Sequence, residues 1–389
     1  MAKKKAFDMQ AELNRLDEQL CKATTFSDGI KKIERIPTGI PEFDRASGGG
    51  LPRGRIVEIF APENVGKTSK AYKALSVIQE KFLIAKENDL PTLDAANPKA
   101  PGRGAFVDFE TKHDAFYAEN TYGLVHPEYI KIKGKKKKVL EDNGFRFYQP
   151  DTAEEGTNKM EQLVKSHAFD LIVGDSAAAI LPKEEEENAV GKQHYALQAR
   201  IMSQHCRKIS GPVGKSRCCV VWLNQARLVQ QKGSNYVYWD SPGAKAFRHF
   251  AAMRIFMNKL RNLKEKGETV GHVIRVVIKK DQVGPCLGKE VEIPFYYGEG
   301  FCPYTLIIED AISFDLIEKA SNGWFSYKEK TIGQGMRAVR EWCANYPTTF
   351  NKLRDQVETL KKEEDEDADQ EDEVSELSES QDDDIDLDW

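Results

Sequence analysis

Apolar and polar positions follow three regimes along the chain. Met9, Leu13, Leu16 and Leu20 recur at three- and four-residue steps in a charged stretch, the spacing of a helix with one apolar stripe. That stripe is too small to form a core, so the helix must dock on its own body or on a neighbouring subunit. Residues Thr24 to Gly29 end it. From Arg55 onward, short apolar runs alternate with helical patterns. Arg55–Phe60, Ala105–Phe109, Asp170–Val173 and Cys218–Leu223 predict buried strands, and Thr68–Ala85, Ala153–Ala168 and Gln193–Ile209 predict helices. Such alternation implies an α/β fold with a mainly parallel sheet and right-handed crossovers. Three later runs, Ala252–Met257, Val273–Ile278 and Val291–Phe295, lie closer together and predict further, antiparallel strands.

Beyond about Gly300 the pattern changes. Ala311–Lys319, Met336–Tyr346 and Asn351–Lys362 predict the short helices of a small C-terminal α+β unit. The division expected from these shifts is an N-terminal helix and linker (1–35), a main body (36–300), the small unit (301–362) and a tail (363–389). Lys86–Gly104 holds Pro91, Pro98 and Pro101 and reads as a surface loop. Lys131–Lys138, KIKGKKKK, reads as an exposed basic hairpin or loop.

Charge sharpens this division. Residues Glu363 to Trp389 hold 16 acids and no Lys or Arg, which leaves residues 1–362 with 57 basic side chains against 46 acidic, a formal +11. The tail has too few apolar residues to fold and is expected to be disordered. A basic body with an acidic tail points to a polyanionic partner with which the tail competes for the basic body. Apolar residues make up 40% of the 389, enough for a sizeable core. No run of eighteen apolar residues occurs, so no spanning helix is expected. The basic Met1–Lys5 is followed by no apolar signal core. The seven cysteines have no zinc-ligand or CxxC spacing, and Cys218 and Cys219 sit inside an apolar run. These features favour a reducing, cytoplasmic setting.

Four motifs carry chemistry. Ala61-Pro62-Glu63-Asn64-Val65-Gly66-Lys67-Thr68-Ser69 follows one predicted strand and opens a helix, the context of a Walker A loop. Backbone amides of such a loop wrap phosphates, Lys67 would contact the β- and γ-phosphates of ATP, and Thr68 would ligate Mg²⁺. Ala61 stands where such loops begin with Gly. Leu171–Asp175 is an apolar strand ending in an acid, so Asp175 reads as a second Mg²⁺ group. Val107-Asp108-Phe109-Glu110 brings another carboxylate to the same sheet edge, where Glu110 would deprotonate the attacking water or else serve as a helix cap or solvated acid. Asn224-Gln225 ends the Cys218 strand; Gln225 could sense the γ-phosphate, or merely form a turn. The following segment, residues 226–243, mixes Arg227 and Lys232 with Tyr236, Tyr238 and Trp239. It is too polar for core, and basic residues among aromatics suit single-stranded nucleic acid. Lys183–His194, after the Asp175 strand, is acid-rich. Arg200 and Arg207, seven apart on the next helix, share a face.

The order of these motifs resembles the RecA family of recombinases. The likeness extends to Ile36-Pro37-Thr38-Gly39, Gly49–Arg55, Gln149–Thr152, Ala199–Gln204, Asn224–Arg227, Tyr297–Gly300, Ile317–Ala320 and Ile332–Gly335, and so spans about residues 30–350. The insertions at Lys86–Gly104 and Lys131–Lys138 are atypical of bacterial members and suit a divergent, phage-type one. The resemblance implies a RecA-like ATPase core with Glu110 as catalytic glutamate, Gln225 as nucleotide sensor and Tyr117 as the adenine-stacking residue. It implies DNA-binding loops at Lys183–His194 and Arg227–Gly243, backbone contacts from Arg200, Ser203, Arg207 and Arg227, and interface residues at Arg248 and Arg254. A lysine pair that reaches ATP across the interface in the family matches Lys279 and Asp281: Lys279 fits, and the second lysine is replaced by Asp281 unless Lys280 compensates. An interface aromatic of the family matches His249.

The function so implied is an ATP- and Mg²⁺-dependent filament of many copies on single-stranded DNA, pairing it with duplex DNA, with a loading or single-strand-binding protein as a further partner. Two other readings use the same core: a ring-forming helicase or branch-migration ATPase, and a DNA-repair mediator that binds ATP but hydrolyses it weakly.

Overall fold

The computed structural model describes residues 33–94, 96–131, 137–139, 141–186, 195–230, 233, 235–242, 244–265, 267–361 and 363. The expected N-terminal helix, the tip of the Lys131–Lys138 segment, most of Lys183–His194, Lys232 and the acidic segment past residue 363 lie outside the described residues.

The strands are β1 (Ile56–Ala61), β2 (Arg103–Asp108), β3 (Phe145–Tyr148), β4 (Phe169–Asp175), β5 (Cys219–Gln225), a hairpin of β6 (Arg227–Gln230) and β7 (Val237–Asp240), then β8 (Met253–Glu265), β9 (Glu268–Asp281), β10 (Glu290–Tyr296) and β11 (Gly300–Phe301). All but the hairpin join one nine-stranded sheet, in spatial order β11-β10-β9-β8-β1-β5-β4-β2-β3. The six strands from β8 to β3 run parallel, and β9 to β11 extend the sheet antiparallel. The run at Ala252–Met257 therefore departs from expectation on one side: β8 lies parallel to β1 and antiparallel only to β9. This strand bridges the two kinds of pairing, which a hydrophobic run alone cannot disclose.

The period of two divides each strand between two cores. Val57, Ile59, Val173, Val221 and Leu223 face a layer that includes Ala71, Leu75 and Ile78 of α2 (Lys67–Glu87). Ile56, Val107, Ile172, Val220 and Trp222 face the other, with Met160 and Val164 of α4 (Ala153–Lys165) and Ile209 and Val213 of α5 (Tyr195–Ser216). Both faces are covered, so the central strands are apolar throughout. The body also has α1 (Pro41–Ala46), α3 (Ala115–Tyr122), α6 (Ala244–Phe250) and a single helical turn at Lys183–Glu186. No helix among the described residues is long and apolar enough to cross a membrane.

A third cluster gathers Ile308, Phe325, Val339, Cys343 and Leu353. It lies among α7 (Thr305–Ser313), a three-stranded sheet of β12 (Glu318–Lys319), β13 (Trp324–Tyr327) and β14 (Lys330–Gln334), α8 (Gly335–Asn345) and a helix over residues 347–361. The helix expected at Ala311–Lys319 is displaced. It runs from Thr305 to Ser313 and stops where Asp315 takes a left-handed φ of 55°, so Glu318–Lys319 becomes a strand.

The polar segment 226–243 is likewise not a plain loop. Arg227 to Gln230 pair antiparallel with Val237 to Asp240, and both sides carry β-formers, Val229 on one and Val237, Tyr238 and Trp239 on the other. In the Lys131–Lys138 segment, Tyr129–Lys131 pairs antiparallel with Lys137–Val139, a hairpin at backbone level.

Candidate functional site

β1 delivers Ala61 to the carboxyl edge of the sheet, and α2 starts six residues later. The turn between them needs two left-handed residues, Asn64 at φ 58° and Gly66 at φ 88°. At Gly66 this favours glycine, and an added Cβ would also meet Ile274 Cδ1 at 3.4 Å. The first turn of α2 contains no acid, so its free amides form an anion site beside the loop. Lys67 folds back over the loop, its ammonium donating to the Ala61 carbonyl at 3.0 Å and the Pro62 carbonyl at 2.7 Å. Burial pushes its pKa below the usual lysine value, against the pull of Asp175, Glu110 and Glu63. Residues Asn64 to Ser69 form one wall of a recess of about 560 Å³, and His272, Phe295 and Tyr297 form the other.

The carboxylates converge on this mouth. Asp108 and Asp175 are ladder partners at the ends of β2 and β4. Thr68 Oγ1 donates to Asp175 Oδ2 at 2.7 Å. Burial raises the Asp175 carboxyl to about 6, while the Thr68 hydrogen bond pulls the other way and Glu110 and Asp108 add to the rise. Asp108 accepts from the amides of Glu110 at 2.9 Å and His113 at 3.1 Å, shaping the turn that presents Glu110. The Ser176 hydroxyl donates to Glu110 Oε1, and Lys112 lies 3.0 Å from Oε2. Burial pushes Glu110 up, but Ser176 and Lys112 together bring it below the ordinary glutamate value. Glu110 caps no helix; Asp114 does so for α3, accepting from the Tyr117 amide at 2.9 Å. Tyr117 is half-buried, its hydroxyl 3.4 Å from that of Ser69 and 3.2 Å from that of Tyr122. The rings across the phosphate loop are those of Phe295 and Tyr297.

No group of three or more His, Cys, Asp or Glu among the described residues could hold a metal ion alone. Asp175 and Thr68 nevertheless form a paired oxygen donor set at the loop mouth, which suits a hard divalent ion that completes its shell with water and phosphate.

The hairpin is tied to this mouth. Gln225, half-buried, faces Ala61 across the β1–β5 ladder, and the Ala226 amide donates to the Ala61 carbonyl at 2.8 Å. Arg227 is exposed, and Tyr236 is 62% exposed with its ring stacked on Tyr238 at 6.1 Å. Arg200 and Arg207 are exposed on α5, with Ser203 half-buried between them.

Beneath the hairpin lies a network that sequence reasoning missed. Glu58, fully buried in β1, accepts from Asn224 Nδ2 at 2.9 Å, Ser241 Oγ at 2.6 Å and Arg254 Nε at 2.6 Å. Arg254 also reaches Asp240 at 2.9 Å and packs over the Phe60 ring at 4.7 Å. Read from sequence as an interface residue, Arg254 is only 7% exposed and has its charge neutralised within its own chain. Arg248 pairs with Asp240 and is exposed, as is His249. Lys279 does not reach the phosphate loop. It shares with Arg248, Arg254 and Tyr236 a second recess of about 630 Å³. Asp281 is turned inward: it pairs with Arg35 at 3.7 Å and accepts from the amides of Val283 and Cys286. Its acidity thus serves a turn, not the site.

Sequence reasoning also passed over Ser176, His272 and Phe295. Ser176 directly follows Asp175, which was a usable signal. His272 and Phe295 are ladder partners on β9 and β10, and only that pairing brings them to the loop.

The family model described as the RecA N-terminal domain matches residues 8–96 and 91–302. Protein RecA of Caldanaerobacter subterraneus subsp. tengcongensis is 35% identical over 345 residues, covering 87% of this chain and 89% of that protein. Protein RecA of Citrifermentans bemidjiense is 34% identical over 335 residues, with 85% and 86% covered. Protein RecA of Lactobacillus acidophilus is 30% identical over 360 residues, with 91% and 88% covered.

Proposed function

This chain belongs to the RecA family, and from that premise we propose how its own residues perform the work of an ATP-dependent DNA recombinase. The protein is a DNA-dependent ATPase of recombination and repair that binds DNA and assembles with copies of itself. The observation that carries the site reading is the meeting of Thr68 with Asp175 at the mouth of the phosphate loop, with Glu110 held alongside by Ser176.

ATP is the nucleotide. The amides of the Ala61–Ser69 loop and the first turn of α2 cradle its phosphates, and Lys67 leaves the carbonyls of Ala61 and Pro62 to meet them. Thr68 and Asp175 would hold Mg²⁺, which would supply charge neutralisation to the phosphate oxygens. Glu110, ionised and aimed by Ser176, accepts the proton of the attacking water. Tyr297 and Phe295 offer the adenine an aromatic wall, and Tyr117 adjoins the opposite, phosphate-loop wall through Ser69. Gln225 reports the state of the phosphates to the hairpin because it shares a ladder position with Ala61.

DNA runs along the hairpin and α5. Arg200, Ser203, Arg207, Arg227 and Lys232 meet phosphates, and Tyr236 stacks on bases. The second recess, with Lys279 and Arg248, faces the neighbouring copy's nucleotide, and the exposed His249, next to Arg248 in α6, belongs to the same interface. The four-part division at residues 35, 300 and 362 is retained, with the N-terminal helix joining copies. The setting is the cytoplasm, and a loading or single-strand-binding protein is the remaining partner.

The test is ATP hydrolysis with and without single-stranded DNA, run beside a strand-exchange assay. Stimulation by DNA and loss of both activities in Lys67→Ala are expected. Hydrolysis by Lys67→Ala at the parent rate would remove the phosphate-loop assignment.

A further inference from the structure

The small C-terminal unit contains a cleft of about 700 Å³ that the functional reading leaves without a role. It opens between β13–β14 and α8, with Tyr327, Ile332, Trp342 and Tyr346 as its apolar lining. Tyr346 is 56% exposed, a large aromatic surface left uncovered among the described residues. Lys328 and Lys330 stand at the rim, both exposed, and no described acid lies within ion-pair distance of either. The one acid in the lining, Glu341, is already paired with Arg337 at 3.0 Å. Glu329, between the two lysines, lies outside the lining. β14 is an edge strand, hydrogen-bonded to β13 on one side only, so an extended chain can lie along it.

We infer that this cleft is the docking site of the chain's own segment Asp382–Trp389. That segment reads DDDIDLDW. Extended, it puts Ile385, Leu387 and Trp389 on one face and Asp384, Asp386 and Asp388 on the other. The apolar face matches Tyr327, Ile332, Trp342 and Tyr346, and the acidic face matches the lysine rim.

Reach is ample. The helix over residues 347–361 belongs to the same small unit, and its Thr349 lines the cleft itself. From residue 364 to Trp389 there are 26 residues, up to ~85 Å when extended. Tethering on this scale gives the segment a high effective concentration at the cleft, so even weak pairing is populated. Docked, it sets its carboxylates against Lys328 and Lys330 at the rim. Salt releases it by screening the lysine contacts.

The experiment uses full chains and a fluorescein-labelled peptide of residues 380–389, read by anisotropy. The probe should bind the Trp389→Ala chain, whose own segment has lost its main apolar contact. It should bind the intact chain about fivefold more weakly or worse, because the tethered segment occupies the cleft. Adding Lys330→Glu or Tyr346→Ala to the Trp389→Ala chain should each weaken probe binding. The first is a surface change that does not endanger folding, so it decides the case if Tyr346→Ala fails to fold. Equal binding by the intact and Trp389→Ala chains would overturn the inference. So would no binding by the Trp389→Ala chain, or binding indifferent to Lys330→Glu.

Discussion

Ala61 and Gln225 face each other across the parallel ladder of β1 and β5, and the Ala61 carbonyl accepts both from the Lys67 ammonium at 3.0 Å and from the Ala226 amide at 2.8 Å. One carbonyl is therefore shared by the phosphate-binding cation and by the root of the exposed hairpin. When Lys67 moves to a phosphate, that carbonyl loses a charged donor, and its remaining donor is the amide of Ala226, the residue that follows Gln225. Gln225→Ala should reduce the stimulation of ATP hydrolysis by single-stranded DNA about tenfold, within the usual range of coupling between sites. Steady-state hydrolysis at saturating ATP, with and without DNA, measures this. Undiminished stimulation would show that the hairpin is informed by another route.

Glu110→Gln removes the base and keeps the shape. The amide still accepts from Ser176, so the turn set by Asp108 persists. Hydrolysis should slow by ~10²–10⁴-fold, while the affinity for a labelled ATP analogue changes less than about threefold, or 0.7 kcal/mol. A parallel loss of affinity and turnover would make Glu110 a structural residue.

Lys70 is a stability liability built into the start of α2. Only 1% exposed, its ammonium has no hydrogen-bond partner and rests over the Phe43 ring at 3.3 Å. A cation–π contact contributes up to about 2 kcal/mol, less than the cost of burying an unpaired amine. Lys70→Met should raise stability by about 1–3 kcal/mol, seen as a higher midpoint in urea. A drop in the midpoint would mean that Asp44 and Glu42 neutralise the amine more fully than their positions suggest.

His205 makes the fold acid-sensitive. It is buried in α5, edge-on to Trp222 at 5.5 Å, and its Nε2 has no partner. Burial lowers its pKa to about 4, with Glu161 opposing the shift and Lys208 adding to it. The unfolded chain binds the proton near 6.5, so between pH 6.5 and 4 it holds more protons than the folded one, and stability falls as pH falls through that window. The loss should approach 3 kcal/mol as an upper estimate. In His205→Phe the slope of stability against pH should flatten across this window. An unchanged slope would assign the acid sensitivity elsewhere, with His113 next in line, also lowered to about 4 by burial beside His126.

Much of the site could be read in advance because parallel strands buried on both faces are apolar until they reach the ligand edge. Asp108, Asp175 and Gln225 mark the points where three such strands surface. The small strand Phe145–Tyr148 escaped notice because Arg146 interrupts a four-residue run at the sheet's margin. Arg254 was read as an interface residue from the family resemblance; its buried pairing could not be read locally, because Glu58 lies 196 residues away. The hairpin of β6 and β7 was hidden because both of its faces are largely exposed, so no inward–outward alternation announces it.

The long strand β8 has one end in each half of this molecule. Near its start Arg254 grips Glu58 and Asp240 under the hairpin. At its last residue, Glu265 takes the guanidinium of Arg340 from α8 at 2.7 Å, and Arg340 in turn lies flat on Tyr296 at 3.8 Å and is almost fully buried. Thirteen residues of extended chain span ~40 Å. Each end is fastened by a buried guanidinium, so one strand ties the small C-terminal unit to the floor of the hairpin.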